Sequence, residues 1–211
     1  MSSSMMSPVL SLTPREVATA ELPLLRSYLL DLVCAVAYRE GEFLLTSGQT
    51  TSYYINGKQV ALHAWGGLAV GRVLLAMMPP GAIAVSGLTL GADPLITATS
   101  VVAAYEGRSL TALIVRKEAK GHGTQAYIEG PTLPSGSEVV VLEDVVTTGQ
   151  SALKAVERLT AAGYQVNHII ALVDRLQGGG ELYAKHGLQF HPVFSIPDVQ
   201  QRWRELHPAG E

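Results

Sequence analysis

The stretch EVVVLEDVVTTGQS, residues 138–151, decides the fold of this chain. Its run of β-branched and other apolar residues predicts a strand buried on both faces, which is typical of a parallel sheet. Two acids, Glu143 and Asp144, close the run, and a turn of small hydroxyl residues and Gly149 follows. The residues after the turn predict a helix over 151–162. Strand, polar turn and helix together predict one unit of an α/β fold.

The segments around this stretch alternate in the same way. Apolar strands are predicted over residues 82–86, 110–115, 138–142 and 165–173, and helices over residues 65–78, 94–105 and 151–162. Such alternation indicates parallel strands covered by helices on both faces. Upstream, a helix over residues 22–40 precedes two short strands, residues 43–48 and 51–57.

These elements predict the domain organisation. We expect a single α/β domain over residues 21–211, with a mostly parallel central sheet flanked by helices. A small N-terminal hood of about residues 22–60 precedes a core of about residues 61–195, and residues 1–20 are predicted to be a disordered tail. The predicted ligand site lies at the carboxyl ends of the parallel strands, over the Asp144 turn.

The composition narrows the class of protein. Hydrophobic residues make up 47% of the 211 residues and charged residues 16%, which excludes an intrinsically disordered chain. The net charge of −3 disfavours a protein whose whole surface binds nucleic acid. A single cysteine cannot form an internal disulfide, and we find neither a signal peptide nor an apolar stretch long enough to span a bilayer. We expect a cytoplasmic protein that binds no membrane.

A long polar segment, residues 116–134, interrupts the regular alternation. Loops of this length inside a compact domain are often lids or binding loops. The segment contains one acid near its start, Glu118, and four residues able to carry positive charge: Arg116, Lys117, Lys120 and His122. By itself it is equally well interpreted as a solvated basic loop.

The turn after the acidic pair has the composition of a phosphate-binding loop. The free N–H groups and the dipole of a helix N-terminus favour an anion, and residues 147–151 allow backbone and hydroxyl groups to surround a phosphate. Glu143 and Asp144 can accept hydrogen bonds from the vicinal hydroxyls of a sugar. The alternative is a helix cap with no ligand. Because apolar strand, paired acids and Thr-Thr-Gly turn coincide, we favour a ribose 5-phosphate site.

Several motifs, in chain order, resemble those of the type I phosphoribosyltransferases. Residues 139–151 resemble the family's signature for phosphoribosyl diphosphate (PRPP). Residues 115–123, VRKEAKGHG, are similar to the catalytic loop of the branch that uses orotate. The N-terminal strands of that branch resemble residues 43–48 and 52–56, and its base-site strand end resembles residues 172–175. The resemblance implies a type I phosphoribosyltransferase-like fold.

The resemblance also implies a reaction. In that branch, ribose 5-phosphate is transferred from PRPP to N1 of orotate, giving orotidine 5′-phosphate and diphosphate in pyrimidine (UMP) biosynthesis. Negative charge grows on the diphosphate as it leaves, so catalysis needs cations there, an anchored sugar phosphate and exclusion of water. The basic segment would supply the cations on a lid. The implied cofactor, Mg²⁺, would be held mainly through PRPP oxygens, with no direct protein ligands.

Each matching residue receives a role from the resemblance. The expected catalytic residues are Lys120, His122 and Asp144. Diphosphate would be contacted by Lys117 of the same chain and, from the neighbouring subunit of a homodimer with shared active sites, by Arg116, Lys120 and His122. Glu143 and Asp144 would hold the ribose hydroxyls, and the 5-phosphate would lie on Thr147, Thr148, Gly149, Gln150 and Ser151. The orotate pocket would consist of Tyr54, Ile55, Thr147 and Arg175, whose guanidinium pairs the substrate carboxylate.

The sequence departs from the family pattern at two places. Some members carry a lysine where Thr46 stands, and some carry Tyr-Lys where Leu90-Gly91 stands. This chain therefore lacks both of these lysine contacts to PRPP, and Arg116, Lys117 and Lys120 are expected to supply the charge instead.

Three other functions stay open at this point. A phosphoribosyltransferase for a purine or another base is disfavoured by Arg175 and the loop of residues 116–123, because a purine has no carboxylate to pair. A PRPP-sensing regulator that binds nucleic acid should show an added DNA-binding domain or a basic face, and a chain of net charge −3 shows neither. A purely structural role leaves the acidic strand end and the basic segment without a reason.

Overall fold

The computed structural model of the protein describes residues 12–44, 50–120 and 127–208. Its helices are α1 (Pro14–Thr19), α2 (Leu22–Leu32, continued by a π-helical turn, Val33–Ala37), α3 (Lys58–Ala61), α4 (Ala64–Ala76), α5 (Asp93–Tyr105), α6 (Gln150–Ala161), α7 (Gly179–Lys185) and α8 (Ile196–Leu206). Its strands are β1 (Tyr38–Leu44), β2 (Thr50–Ile55), β3 (Ala84–Ser86), β4 (Thr111–Ala112), β5 (Ile114–Val115), β6 (Ile128–Glu129), β7 (Val139–Val146), β8 (His168–Asp174) and β9 (Gln189–Ser195).

A parallel sheet of five strands, in the order β4-β3-β7-β8-β9, forms the centre of the molecule. The apolar run quoted above becomes its middle strand, β7. Val140 and Leu142 pack in one apolar cluster, with α2, α4, α5 and α8, while Val139 and Val141 pack in another, with α6. Because successive side chains point to opposite faces, a strand covered on both sides must be apolar throughout. The predicted α/β fold with a mostly parallel sheet is confirmed.

The helix predicted over residues 22–40 is shorter than expected. Regular α-helix ends at Leu32, and Tyr38 already begins β1, which pairs antiparallel with β2. The Tyr38 ring is fully buried, with its centroid 5.8 Å from that of Tyr53 and 5.4 Å from that of Trp203. Tertiary packing of this ring and pairing with β2 therefore overrode the local helical pattern. Gly41, the residue after the predicted helix, lies inside β1, where the register shifts between Glu40 and Phe43.

The predicted disordered tail does not extend to residue 20. Pro14–Thr19 form α1, whose start is stabilised by reciprocal hydrogen bonds between Thr13 and Glu16. Val17 is fully buried, and Arg72 Nη1 donates to the carbonyl of Val17 at 2.9 Å. The tail prediction was wrong for this part because one buried valine and its capping box are a weak sequence signal. Residues 1–11 lie outside the described residues, and the division into hood and core stays a prediction.

The strand predicted over residues 110–115 is divided into two. β4 belongs to the central sheet, whereas β5 pairs antiparallel with β6, so that Ile114 lies opposite Glu129 and Val115 opposite Ile128. This two-stranded ribbon pairs residues 114 and 115, which precede the basic segment (residues 116–134), with residues 128 and 129 inside it. The acids Glu143 and Asp144 lie within β7 rather than after it, because β7 continues to pair with β8 as far as Val146.

Candidate active site

Asp144 lies near the end of β7. The loop after β3 and the residues that follow the β1–β2 hairpin pack against it there. The Asp144 side chain is 10% exposed, and its Oδ2 lies 3.4 Å from Nζ of Lys58 in α3. Two glycines make room for the carboxyl group: a Cβ at Gly57 would lie 3.0 Å from Asp144 Cβ, and one at Gly91 would lie 2.5 Å from Asp144 Oδ1. Gly91, a position where some family members carry lysine, thus packs directly against Asp144. Thr46, the other departure, lies outside the described residues.

Glu143 is the more buried member of the pair. It is 7% exposed, and its Oε2 has no hydrogen-bond partner among the described residues. Burial, and after it the negative charge of Asp144, raises the pKa of Glu143 to about 8, while Lys58 opposes the shift. This shift favours the protonated form of the Glu143 carboxyl group, which can donate a hydrogen bond.

The predicted phosphate loop folds as a tight turn into α6. Gly149 adopts φ = 84°, a left-handed conformation that favours glycine, and serves as the N-cap residue of α6. The turn surrounds a cavity of about 80 Å³, lined by residues 143, 145–151 and Tyr183. Tyr183 is fully buried, and its Oη has no partner among the described residues. Because a Cβ at Gly149 would lie 2.9 Å from the Tyr183 ring, only glycine fits here without displacing that ring.

The basic segment makes its contacts away from this cavity. Arg116 Nη1 lies 2.9 Å from Glu129 Oε1, and Lys120 Nζ lies 3.9 Å from the same oxygen. Arg116 and Lys117 line a second cavity of about 440 Å³, together with residues that include Thr89 and Asp93. His122 lies outside the described residues. The structure therefore brings Arg116, Lys117 and Lys120 together on one loop, but it pairs two of the cations with Glu129.

Arg175, the predicted carboxylate ligand, contacts the hairpin. Its Nε donates to Tyr53 Oη at 3.0 Å, and its guanidinium lies 4.9 Å from the centroid of the Tyr53 ring. Tyr54 is 46% exposed and packs beside Phe43. Since neighbouring residues of a strand point to opposite faces, Tyr53 meets Arg175 while Tyr54 points the other way. Ile55 is half-buried at the end of β2.

Three residues at this site were not predicted from the sequence: Lys58, Tyr183 and Tyr53 as a partner of Arg175. Lys58 and Asp144 are 86 positions apart, and Tyr53 and Arg175 are 122 apart. Tyr183 comes from α7, which local pattern did not single out. For Lys58, one signal was present in the sequence: it directly follows Gly57, the last residue of the strand predicted over residues 51–57.

The described residues lack two features, a ready-made metal-binding group and a membrane-spanning helix. They contain no group of three or more His, Cys, Asp or Glu side chains placed to hold a metal ion. They also contain no helix with the length and hydropathy needed to span a membrane.

Comparison with known proteins extends these observations. Residues 95–196 match the family model described as phosphoribosyl transferase domain. Over 189 residues the chain is 66% identical to the orotate phosphoribosyltransferase of Nostoc sp. (strain PCC 7120), which covers 90% of this chain and 92% of the relative. It is 59% identical over 194 residues to that of Synechocystis sp., covering 92% and 98%. A crystal structure of Mycobacterium tuberculosis orotate phosphoribosyltransferase in complex with PRPP aligns with a TM-score of 0.71 at 32% identity, covering 83% of this chain and 99% of that one.

The fold and the site thus define a type I phosphoribosyltransferase, an α/β transferase with a PRPP signature at the end of its middle strand. Within that class, the chain belongs to the orotate phosphoribosyltransferase family. The predicted family and enzyme class are confirmed. The predicted PRPP-dependent transfer to orotate, in pyrimidine biosynthesis, is confirmed at the level of the family.

Proposed function

We propose that this chain transfers ribose 5-phosphate from PRPP to N1 of orotate, in the cytoplasm, as a Mg²⁺-dependent homodimer. One observation carries the proposal: Glu143 of the acidic pair and the phosphate loop line a single cavity, together with Tyr183. Two polar atoms there, Glu143 Oε2 and Tyr183 Oη, are buried without partners among the described residues. Buried polar groups are normally hydrogen-bonded, so a polar ligand at this place is expected.

The ribose would lie over the acidic pair. The protonated Glu143 carboxyl group donates to one ribose hydroxyl, and the Asp144 carboxylate accepts from another. As the bond between C1 and the diphosphate oxygen breaks, its electron pair leaves with diphosphate and positive charge develops on the ring. The negative charge of Asp144 favours that charge, while N1 of orotate forms the new bond to C1 and its proton passes to the leaving diphosphate.

The phosphate groups would be bound at two places. The 5-phosphate lies on Thr147, Thr148, Gly149, Gln150 and Ser151, where the first N–H groups of α6 and its dipole favour an anion. The diphosphate is contacted by Arg116, Lys117, Lys120 and His122. Because Arg116 and Lys120 face Glu129 in this structure, the diphosphate must compete with that one carboxylate for them.

Orotate would bind between the β1–β2 hairpin and the phosphate loop, against Ile55, Thr147 and Arg175, with Tyr53 rather than Tyr54 on that face of β2. The bond to Tyr53 uses Nε of Arg175 and orients its guanidinium plane, so that the two terminal nitrogens form the fork for the orotate carboxylate. Mg²⁺ would be held through PRPP oxygens beside the acidic pair, and when bound it neutralises part of the diphosphate charge.

An exposed apolar face supports the homodimer. Leu62, Leu90 and Val101 are 72%, 65% and 50% exposed, and they line a groove of about 670 Å³ between α3, α4 and α5. Contiguous exposed apolar surface marks an interaction site. Lys58, the ion-pair partner of Asp144, lines the same groove, so a second subunit seated there would lie beside the active site. This proximity supports active sites shared between subunits.

The activity is tested by the fall in orotate absorbance with PRPP and Mg²⁺ present, and with each omitted in turn. We expect conversion only in the complete mixture. Lys120→Ala should lower turnover by about 100-fold because it removes a cation at the leaving group, whereas Lys154→Ala, at an exposed position of α6, should leave it unchanged. No orotate consumption by folded protein would refute the proposal, and purine bases with PRPP would then be tried.

A further inference from the structure

We propose that Arg158 is a positioning residue of the reaction. It holds the basic segment against α6 at Arg116 and Lys117 and again at Tyr127. The inference rests on the proposed role of Arg116, Lys117 and Lys120 at the diphosphate. Arg158 Nη1 donates to the carbonyl oxygen of Arg116, and Nη2 donates to that of Lys117 at 3.0 Å. These two bonds fasten the chain at the point where it leaves β5.

The same guanidinium also reaches the other flank of the segment. Its Cζ lies 3.9 Å from the centroid of the Tyr127 ring, within the range of a cation–π contact. Tyr127 directly precedes β6, and its carbonyl accepts a hydrogen bond from the Arg116 N–H at 2.7 Å. One side chain therefore contacts the chain where it leaves β5, at Arg116 and Lys117, and again just before β6, at Tyr127.

The position of Arg158 in the fold connects this contact to the phosphate site. α6 begins at Gln150, in the phosphate loop, and Arg158 lies two turns further, roughly 12 Å along the helix axis. Because a helix of this length is rigid, α6 fixes the position of the predicted phosphate loop relative to the residues of the basic segment that Arg158 contacts. The spacing between the proposed sites for the 5-phosphate and the diphosphate is thereby set by α6.

Arginine is the residue that suits this task. Two N–H groups of its planar fork reach two successive carbonyls, while the face of the plane stacks on an aromatic ring. A lysine would keep the charge but would lose the fork and the stacking. We therefore expect Arg158→Lys to behave like Arg158→Ala, which a purely electrostatic role of Arg158 would not produce.

The kinetic test compares Arg158→Ala, Arg158→Lys and Tyr127→Leu with the wild-type protein and with Lys154→Ala as the matched loss of charge on α6. We expect kcat for orotate to fall about tenfold in both Arg158 variants and less in Tyr127→Leu. Inhibition by free diphosphate should weaken to a similar degree, whereas the affinity for ribose 5-phosphate should stay within about twofold, since residues 147–151 are untouched. Unchanged kcat in Arg158→Ala would overturn the inference.

A second readout does not depend on activity. Trypsin should cleave after Lys117 and Lys120 faster in Arg158→Ala than in the wild-type protein or in Lys154→Ala, while the melting temperatures agree. Equal cleavage rates would overturn the inference whether or not the protein consumes orotate. Inactive wild-type protein with faster cleavage in Arg158→Ala would refute the proposed function alone and retain the positioning of the segment.

Discussion

Glu143 and Asp144 are neighbours in the chain with different surroundings. Asp144 faces Lys58 Nζ at 3.4 Å, whereas Glu143 Oε2 is buried without a partner among the described residues. Two adjacent carboxyl groups cannot both carry charge in a buried place without a large electrostatic cost. The pair therefore combines a proton donor with an acceptor, which suits two neighbouring hydroxyl groups of a ribose.

Glu143→Gln should remove a pH dependence of stability. The pKa of Glu143 rises from its ordinary 4.5 to about 8 in the folded protein, so between these values the folded state holds a proton that the unfolded state has lost. Stability is then full below pH 4.5 and falls as the pH rises through about 8, by at most about 1.4 kcal/mol per pH unit. Urea unfolding across this window measures the slope, which should flatten in Glu143→Gln but not in Glu157→Gln, an exposed control. Equal slopes would contradict the assignment.

Lys58→Met should weaken the use of PRPP. The variant removes the positive charge beside Asp144 and leaves the acidic pair without its counter-ion, which favours protonation of Glu143 further. We expect kcat/KM for PRPP to fall about tenfold and Lys58→Arg to recover part of the loss. Lys185→Met, an exposed lysine of α7, is the control. Steady-state kinetics with PRPP varied decide the matter, and an unchanged kcat/KM would exclude Lys58 from the site.

At the scale of elements, the unit of β7, the phosphate turn and α6 carries most of the site. β7 presents the acidic pair, the turn presents Gly149 at φ = 84°, and α6 presents its N-terminus and, two turns on, Arg158. The buried ring of Tyr183 in α7 packs against the turn at Gly149. A change in the turn should therefore disturb ligand binding and packing together.

Gly149→Ala tests this coupling against a matched glycine. Gly107 also has a positive φ, of 75°, but a Cβ there would meet no atom within 4 Å. In both variants the left-handed backbone conformation destabilises the alanine by about 1 kcal/mol. Only in Gly149→Ala does the new Cβ also clash with Tyr183. We expect Gly149→Ala to lose about 1–2 kcal/mol more stability than Gly107→Ala in urea unfolding and at least about tenfold in affinity for ribose 5-phosphate. Equal behaviour of the two variants would argue against the tight turn.

At the scale of the whole molecule, the exposed groove between α3, α4 and α5 lies beside the site. It has an apolar lining that includes Leu62, Leu90 and Val101, while Lys58 at its edge reaches Asp144. Covering this groove with a second copy would remove apolar surface from water and enclose the neighbourhood of the acidic pair.

Val101→Glu should convert the proposed homodimer to a monomer and lower turnover, because it places a charge in the apolar groove. Leu24→Glu is the matched control, since Leu24 is 51% exposed against 50% for Val101 but does not line the groove. Sedimentation and orotate turnover of both variants give the answer. A Val101→Glu protein that keeps the size and activity of the wild type would place the interface elsewhere.

Local pattern was enough for the centre of the fold and for part of the site. The continuous apolar run of residues 139–142, the acids after it and the glycine of the turn are neighbours in the chain, so their arrangement follows from strand and helix geometry. The same reasoning misjudged Tyr38, whose helical pattern gave way to packing between Tyr53 and Trp203. It also missed α1, whose one buried residue, Val17, makes a weak periodic signal.

By itself, then, the sequence determined the parallel α/β architecture, the family and the strand–turn–helix unit that contains the acidic pair, because each depends on residues close together along the chain. The tertiary structure alone decided that Lys58 meets Asp144, that Tyr53 rather than Tyr54 orients Arg175, and that Arg158 holds the basic segment. These contacts join residues 86, 122 and 41 positions apart. Such contacts are set by how strands and helices pack in space. The local periodicity of the sequence does not predict which distant residues will meet.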